Sequence, residues 1–249
     1  MSRRNLLFAL CVLLVIWQAG AMLMSQPILP TPLAVGVALV DELIRGELPR
    51  HFLASLWRVV ASTVLAILIA SPLGIILGQS NRLNGIFSPY IYILYPIPKV
   101  VLVPIVLLLF GVGNVSKIFL IFLVLFFQIL VLVRDQAQGI RPELIESVRS
   151  LGAGRRALFR YVYFPASLPA ILTALRQTVG TTFAVLYIAE LFATQWGLGY
   201  YIYFNGSTLF DYPAMYAGIV LMSLMGLGLY FGVEGLARRL TPWQTSENK

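Results

Sequence analysis

The chain has 249 residues, of which 59% are hydrophobic and only 11% charged, and it carries a formal net charge of +8. Soluble domains hold roughly 25% charged residues, so this composition cannot coat a water-facing surface and the bilayer has to be a large part of its solvent. One cysteine, Cys11, excludes an intrachain disulfide, and the single histidine, His51, has no Cys or His companion for a zinc site.

A membrane span needs roughly 20 apolar residues, and the chain offers about six candidates within one transmembrane domain, residues 1–249: 6–24, 56–78, 86–110, 118–133, 170–192 and 215–233. The first follows MSRRN and contains Ala19-Gly20-Ala21, which imitates a cleaved signal peptide. Its apolar run continues through Met22, Leu23 and Met24, so a retained anchor is expected. Between Pro27 and Arg50 an amphipathic stretch, with Val35, Leu39 and Leu43 at every fourth position, is expected to lie along the outer membrane surface.

The second span holds Gly74 and Gly78, a small-xxx-small pair repeated by Gly228 and Gly232 in the sixth; both are expected to serve packing within the subunit. Pro96, Pro98 and Pro104 interrupt the third, which reads as a broken helix facing protein. Placing both termini in the cytoplasm puts Arg3, Arg4, Arg82, Arg134, Arg141, Arg149, Arg155, Arg156, Arg160, Arg238, Arg239 and Lys249 inside, twelve of the eighteen basic residues. Arg45 and Arg50 fall outside, with Arg58 and Lys117 at outer helix ends.

The loop after the fourth span, residues 134–169, reads as two short helices. Leu144, Ile145, Val148 and Leu151 form one apolar stripe, with Glu143, Glu146, Ser147, Arg149 and Ser150 on the other faces. Gly152 stands where a helix end wants a left-handed residue, and Ala153-Gly154 lets the chain turn. A second helix follows, with Pro165 expected to stop it and Pro169 to open the fifth span. Taken singly, the arginines suit a positive-inside loop that touches acidic lipid headgroups. A loop tethered at both ends to the bilayer does not suit nucleic acid.

One pattern exceeds that reading: a glutamate six residues before a glycine, then an apolar–x–apolar–Pro element ten residues on. Glu146-Ser147-Val148, Gly152, Val162, Phe164 and Pro165 match the spacing of E-A-A-x3-G-x9-I-x-L-P, the permease loop of ATP-binding-cassette importers. Glutamate, glycine and proline are kept, and the other positions carry small or apolar replacements. The stretches SLWRVVAS, PIPKVVLVPIVLLLFGVG, AELFATQWGLGYYI and RRLTPW also resemble permeases of the nitrate/sulfonate/taurine type.

The resemblance implies an all-α, polytopic, type I importer-like fold in a bacterial-type cytoplasmic membrane. It makes the first loop helix a coupling helix, with Glu143, Glu146, Ser147, Arg149, Gly152, Ala153, Arg155, Val162 and Pro165 meeting a cytoplasmic ATPase dimer. It further implies an extracytoplasmic solute-binding protein and a second permease copy. This chain has no G-x4-G-K-[ST], so ATP and Mg would sit on the partner, and no cofactor is expected here.

Ionisable residues inside spans invite a functional reading. Lys99 lies in the broken span, and Arg176 and Glu190 in the fifth, where Gly180, Phe183 and Tyr187 share their face. That stripe, with Lys99, is the candidate translocation path, and its cations suit an anionic solute. Snorkelling of Arg176 and helix packing of the stripe are the competing reading. A stand-alone secondary transporter or channel would show coupling carboxylates at the midplane and paired repeats. An intramembrane enzyme would cluster a nucleophile, base or metal ligands, whereas Cys11 and His51 lie far apart in sequence.

Overall fold

The computed structural model describes residues 3–192 and 194–242, and the elements found there are helical. In chain order they are α1 (Arg3–Met24), α2 (Pro32–Ile44), α3 (Leu48–Gln79), α4 (Asn81–Leu94), α5 (Val103–Phe110), α6 (Asn114–Gln138), α7 (Pro142–Ser150), α8 (Arg155–Leu158), α9 (Phe164–Leu191), α10 (Leu198–Phe204) and α11 (Tyr212–Leu240). By length and composition, α3, α6, the run Arg155–Leu191 and α11 can each cross a membrane. The pair Asn81–Leu94 and Lys99–Phe110, bent by 82°, makes a fifth. The first expected span is helical, but its apolar stretch, Phe8–Met24, is shorter than these.

The chain divides into two compact units, Met1–Leu56 with Glu190–Leu224, and Trp57–Ala189 with Met225–Lys249. In the first, the Trp17 indole donates to the Pro30 carbonyl at 3.0 Å and packs 5.8 Å from the Tyr216 ring, which fixes the turn between α1 and α2. Thr31 caps α2 by accepting the Ala34 amide, with Pro32 at the first helical position where no amide hydrogen is needed.

In the second unit α3 packs closely on α6. A Cβ on Gly74 would stand 2.9 Å from Val133 Cβ, and one on Gly78 only 2.6 Å from Ala137 Cβ and the Arg134 carbonyl oxygen. The Ser62 hydroxyl reaches the Arg58 and Ile118 carbonyls, and the Gln79 amide donates to the Ala137 carbonyl. Gly74 and Gly78 thus serve packing within the chain, whereas a Cβ at Gly228 or Gly232 would meet nothing within 4 Å. Gly78→Ala is expected to cost about 1–3 kcal/mol of stability through forced separation of the two helices. A thermal midpoint equal to wild type would contradict that close contact.

Several details differ from expectation. The fourth span continues to Gln138 because Arg134, only 4% exposed, is held by Asp135 and Ser88 and sits 5.5 Å over the Tyr92 ring. The third is broken as expected, but instead of facing protein throughout it leaves Ile105, Leu108 and Leu109 exposed and buries Ile91, Val103 and Val106. Pro165 does not end the second loop helix. Residues Phe159–Tyr163 form a π-turn in which the Phe164 amide bonds back to Phe159, and the helix then runs through Pro165 and Pro169 to Leu191. The wider turn eases the clash of a proline ring with the preceding carbonyls and so absorbs the break.

Candidate functional site

Helix α7 is built to stand on its own. Pro142 opens it, Glu143 lies in its first turn and Arg149 in its last, each complementing the helix dipole. The hydroxyls of Ser147 and Ser150 bond within the helix, to the Glu143 and Ser147 carbonyls at 2.7 and 2.8 Å. Gly152 is left-handed at φ +83°, and its amide donates to Arg149 at 2.9 Å. The chain turns there into α8, which begins after Gly154.

No residue of α7 is buried. Along its apolar stripe Ile145 and Val148 are half-buried, while Leu144 is 49% and Leu151 85% exposed. The apolar stripe is therefore largely open, and the loop is anchored instead through Leu158 and Val162, both 3% exposed. Ala153 is half-buried, and Glu143, Glu146, Ser147, Arg149, Gly152 and Arg155 are all exposed, so the expected coupling residues share one accessible segment. Val162 and Pro165 belong to the rod behind it.

The interior stripe does not behave as one surface. Arg176 borders a cavity of about 70 Å³ between α9 and α11, with Thr173, Glu234 and Thr241 as its other polar lining. Glu234 is paired with Arg238. Arg176 makes no hydrogen bond or ion pair among the described residues. Gly180 is exposed, and Phe183 and Tyr187 are half-buried, Phe183 lying 3.4 Å from where a Cβ on Gly226 would stand.

Glu190, by contrast, is fully buried and committed to structure. Its carboxylate accepts from the Ser55 hydroxyl at 2.9 Å and from the Gly199 amide at 2.8 Å. Ser55 in turn accepts the Leu198 amide at 2.8 Å, and His51 Nδ1 accepts the Gly197 amide at 3.1 Å. Three successive amides at the start of α10 are thus closed by three side chains. The imidazole is wedged among Trp196, Tyr200 and Tyr201 at 5.3–6.0 Å.

Residues 70–244, most of the chain, match the family described as binding-protein-dependent transport system inner membrane component. The chain belongs to that family. It is similar to the taurine transport system permease protein TauC of Escherichia coli (strain K12), 34% identical over 241 residues covering 94% of this chain and 87% of the relative. It is also similar to the putative aliphatic sulfonates transport permease protein SsuC of Bacillus subtilis (strain 168), 30% identical over 237 residues, 94% and 86% of the two chains. In fold it matches the inward-facing MetNI methionine ABC transporter with a TM-score of 0.67 at 21% identity, over 80% of this chain and 99% of that one. It is the permease subunit of an ATP-binding-cassette importer.

Two lysines of the permease act as internal caps. Lys99 Nζ donates to the carbonyls of Leu94, Tyr95 and Ile97 at 2.6–3.2 Å and lies 4.4 Å from the Phe127 ring centre, satisfying the carbonyls that Pro96 and Pro98 leave open. Lys117, expected at an outer helix end, is fully buried and donates to Val112 and Gly113 between α5 and α6. Arg58 is likewise buried, with Nε donating to Asn114 Oδ1 at 2.9 Å. Lys99 thus has a structural task in the permease where a path residue was expected.

His51 and Ser55 were not among the expected site residues. A signal existed: His51, Ser55, Arg58 and Ser62 fall at i, i+4, i+7 and i+11 on α3, a polar stripe along an otherwise apolar span. Among the described residues no group of three His, Cys, Asp or Glu could hold a metal ion.

Proposed function

We propose that this permease moves a small sulfonate-type anion inward across the cytoplasmic membrane, with α7 as the element on which a partner ATPase dimer docks. The observation that carries the reading is α7 itself: closed at its C-terminal end by the Gly152 turn, unburied, with Leu144 and Leu151 presented to solvent beside Glu146 and Arg149. An exposed apolar stripe rimmed by charge suits a protein partner better than water. Behind it, Arg155–Leu191 forms one 37-residue helical run that can transmit a push.

ATP and Mg bind the partner, whose nucleotide-driven closure shifts the permease between inward- and outward-facing states. A binding protein delivers the solute from outside, and a second copy of the permease completes the pathway. Both termini and the loop lie in the cytoplasm, following the positive-inside bias of the arginines. The names of the taurine and sulfonate relatives support the solute class.

Within this reading Arg176 is the path residue. A partly buried guanidinium beside a cavity, with no hydrogen bond or ion pair among the described residues, is available to an oxyanion. Charged hydrogen bonds are worth about 1.5–3 kcal/mol, so Arg176→Ala is expected to lower uptake about tenfold or more while ATPase docking is unchanged. Uptake kinetics in vesicles equal to wild type would return Arg176 to a snorkelling role.

A further inference from the structure

The cavity between α9 and α11 has one cation and one anion in its lining, carried by opposite helices: Arg176 on α9 and Glu234 on α11. On the α11 side Glu234, Ala237 and Thr241 fall at i, i+3 and i+7, so one face of that helix borders the space. Its volume of about 70 Å³ is several times what a single water needs, which gives a carboxylate room to enter.

Both charged residues are half-buried, yet they share the cavity without pairing. Arg176 makes no hydrogen bond or ion pair among the described residues. Glu234 is turned instead to Arg238, one helical turn on, whose guanidinium donates to its Oε1 at 2.5 Å. That pair is a weak hold. The Arg238 side chain is 73% exposed and the Glu234 side chain 26%, so water screens the attraction and two flexible side chains must be ordered to keep it.

The alternative partner is the better one electrostatically. A charge pair attracts more strongly where less water surrounds it, and a partly buried guanidinium left uncompensated costs free energy. A solute anion and the Glu234 carboxylate carry the same sign and compete for the same guanidinium. Two anions in one small cavity repel each other, so an anion on Arg176 keeps Glu234 on Arg238, and an empty Arg176 draws it across.

We propose that Glu234 exchanges partners during transport, resting on Arg238 while the solute anion occupies Arg176 and moving onto Arg176 as the anion leaves inward. Glu234 is thereby a positioning residue that competes for the site and drives release, and Arg238 is the holding point of its carboxylate. This role rests on Arg176 being the path residue, as proposed above.

The test uses the whole transporter, permease with its ATPase in liposomes, supplied from outside with binding protein loaded with radiolabelled taurine. Glu234→Gln removes the competitor, so release slows: the maximal uptake rate and the half-saturating concentration should both fall about three- to tenfold, the range of a modest pairwise coupling. Arg238→Gln removes the holding point, so Glu234 stays on Arg176 and the half-saturating concentration should rise. The double variant Glu234→Gln, Arg238→Gln should behave as Glu234→Gln alone, and Glu234→Gln should add nothing in an Arg176→Ala background. Wild-type kinetics in Glu234→Gln would overturn the exchange. So would a Glu234→Gln that loses uptake in step with its thermal midpoint while Arg238→Gln is kinetically silent, which assigns the glutamate to folding. Lowered uptake in Arg176→Ala that Glu234→Gln lowers again by its full factor overturns the exchange and leaves Arg176 on the path. Wild-type uptake in Arg176→Ala removes the path reading itself, and absent taurine uptake by the wild type removes the solute reading, each taking the exchange with it.

Discussion

Gly152→Pro is expected to abolish ATP-driven uptake while the permease still inserts and the ATPase still turns over. Proline holds φ near −65°, and Gly152 stands at +83°. Proline also lacks the amide hydrogen that Gly152 gives to the Arg149 carbonyl. Both losses fall on the one residue that turns α7 back towards α8, so the helix cannot keep its present angle. Gly152→Ala keeps the amide and meets no steric neighbour within 4 Å, leaving only the left-handed cost of about 1–2 kcal/mol. It should retain partial uptake. Glu146→Arg tests the surface and not the turn. It leaves α7 intact, reverses an exposed charge next to the apolar stripe, and should weaken ATPase docking. ATP-driven uptake at the wild-type level in both Gly152→Pro and Glu146→Arg would contradict the docking role.

The second large effect is expected at Glu190. Glu190→Ala leaves the Ser55 hydroxyl without its carboxylate acceptor and the Gly199 amide unbonded, both in a site closed to solvent. Removing a buried charged partner of this kind costs about 3–5 kcal/mol. At about 2–4 °C per kcal/mol for a chain of this size, the thermal midpoint of the purified permease should fall by roughly 6–20 °C. Glu190→Gln keeps the shape and one acceptor oxygen and should lose less. A midpoint for Glu190→Ala within a degree or two of wild type would show that the three-amide closure of α10 carries no weight.

Much of the loop was legible because its determinants are local. Pro142, Gly152 and the spacing of Leu144, Ile145, Val148 and Leu151 act within a few residues, and the structure places a short amphipathic helix and a left-handed turn there. Composition and apolar runs likewise marked the membrane helices. Pro165 misled because a proline's effect depends on the turn before it, and the π-turn at Phe159–Tyr163 has no simple residue signature.

The interior charges were less legible for a different reason. Sequence shows that Lys99 and Glu190 are ionisable and surrounded by apolar residues, but not what answers them. Lys99 is answered by carbonyls two to five residues back, freed by the proline break. Glu190 is answered by Ser55, 135 residues away in the chain, a partner that no periodicity within either helix names. Arg176 keeps its interest because nothing among the described residues takes that place.

The most direct test of the docking element is a cross-link. Cys11 is the chain's single cysteine, so a Cys11→Ser background leaves a clean site for Leu151→Cys on the exposed end of the α7 stripe. With the ATPase present, Leu151→Cys should form a cross-linked permease–ATPase species whose yield changes with nucleotide, and Glu146→Arg in the same background should suppress it. A Leu151→Cys permease that cross-links to no ATPase, while still supporting ATP-driven uptake, would contradict the assignment of α7 as the docking surface.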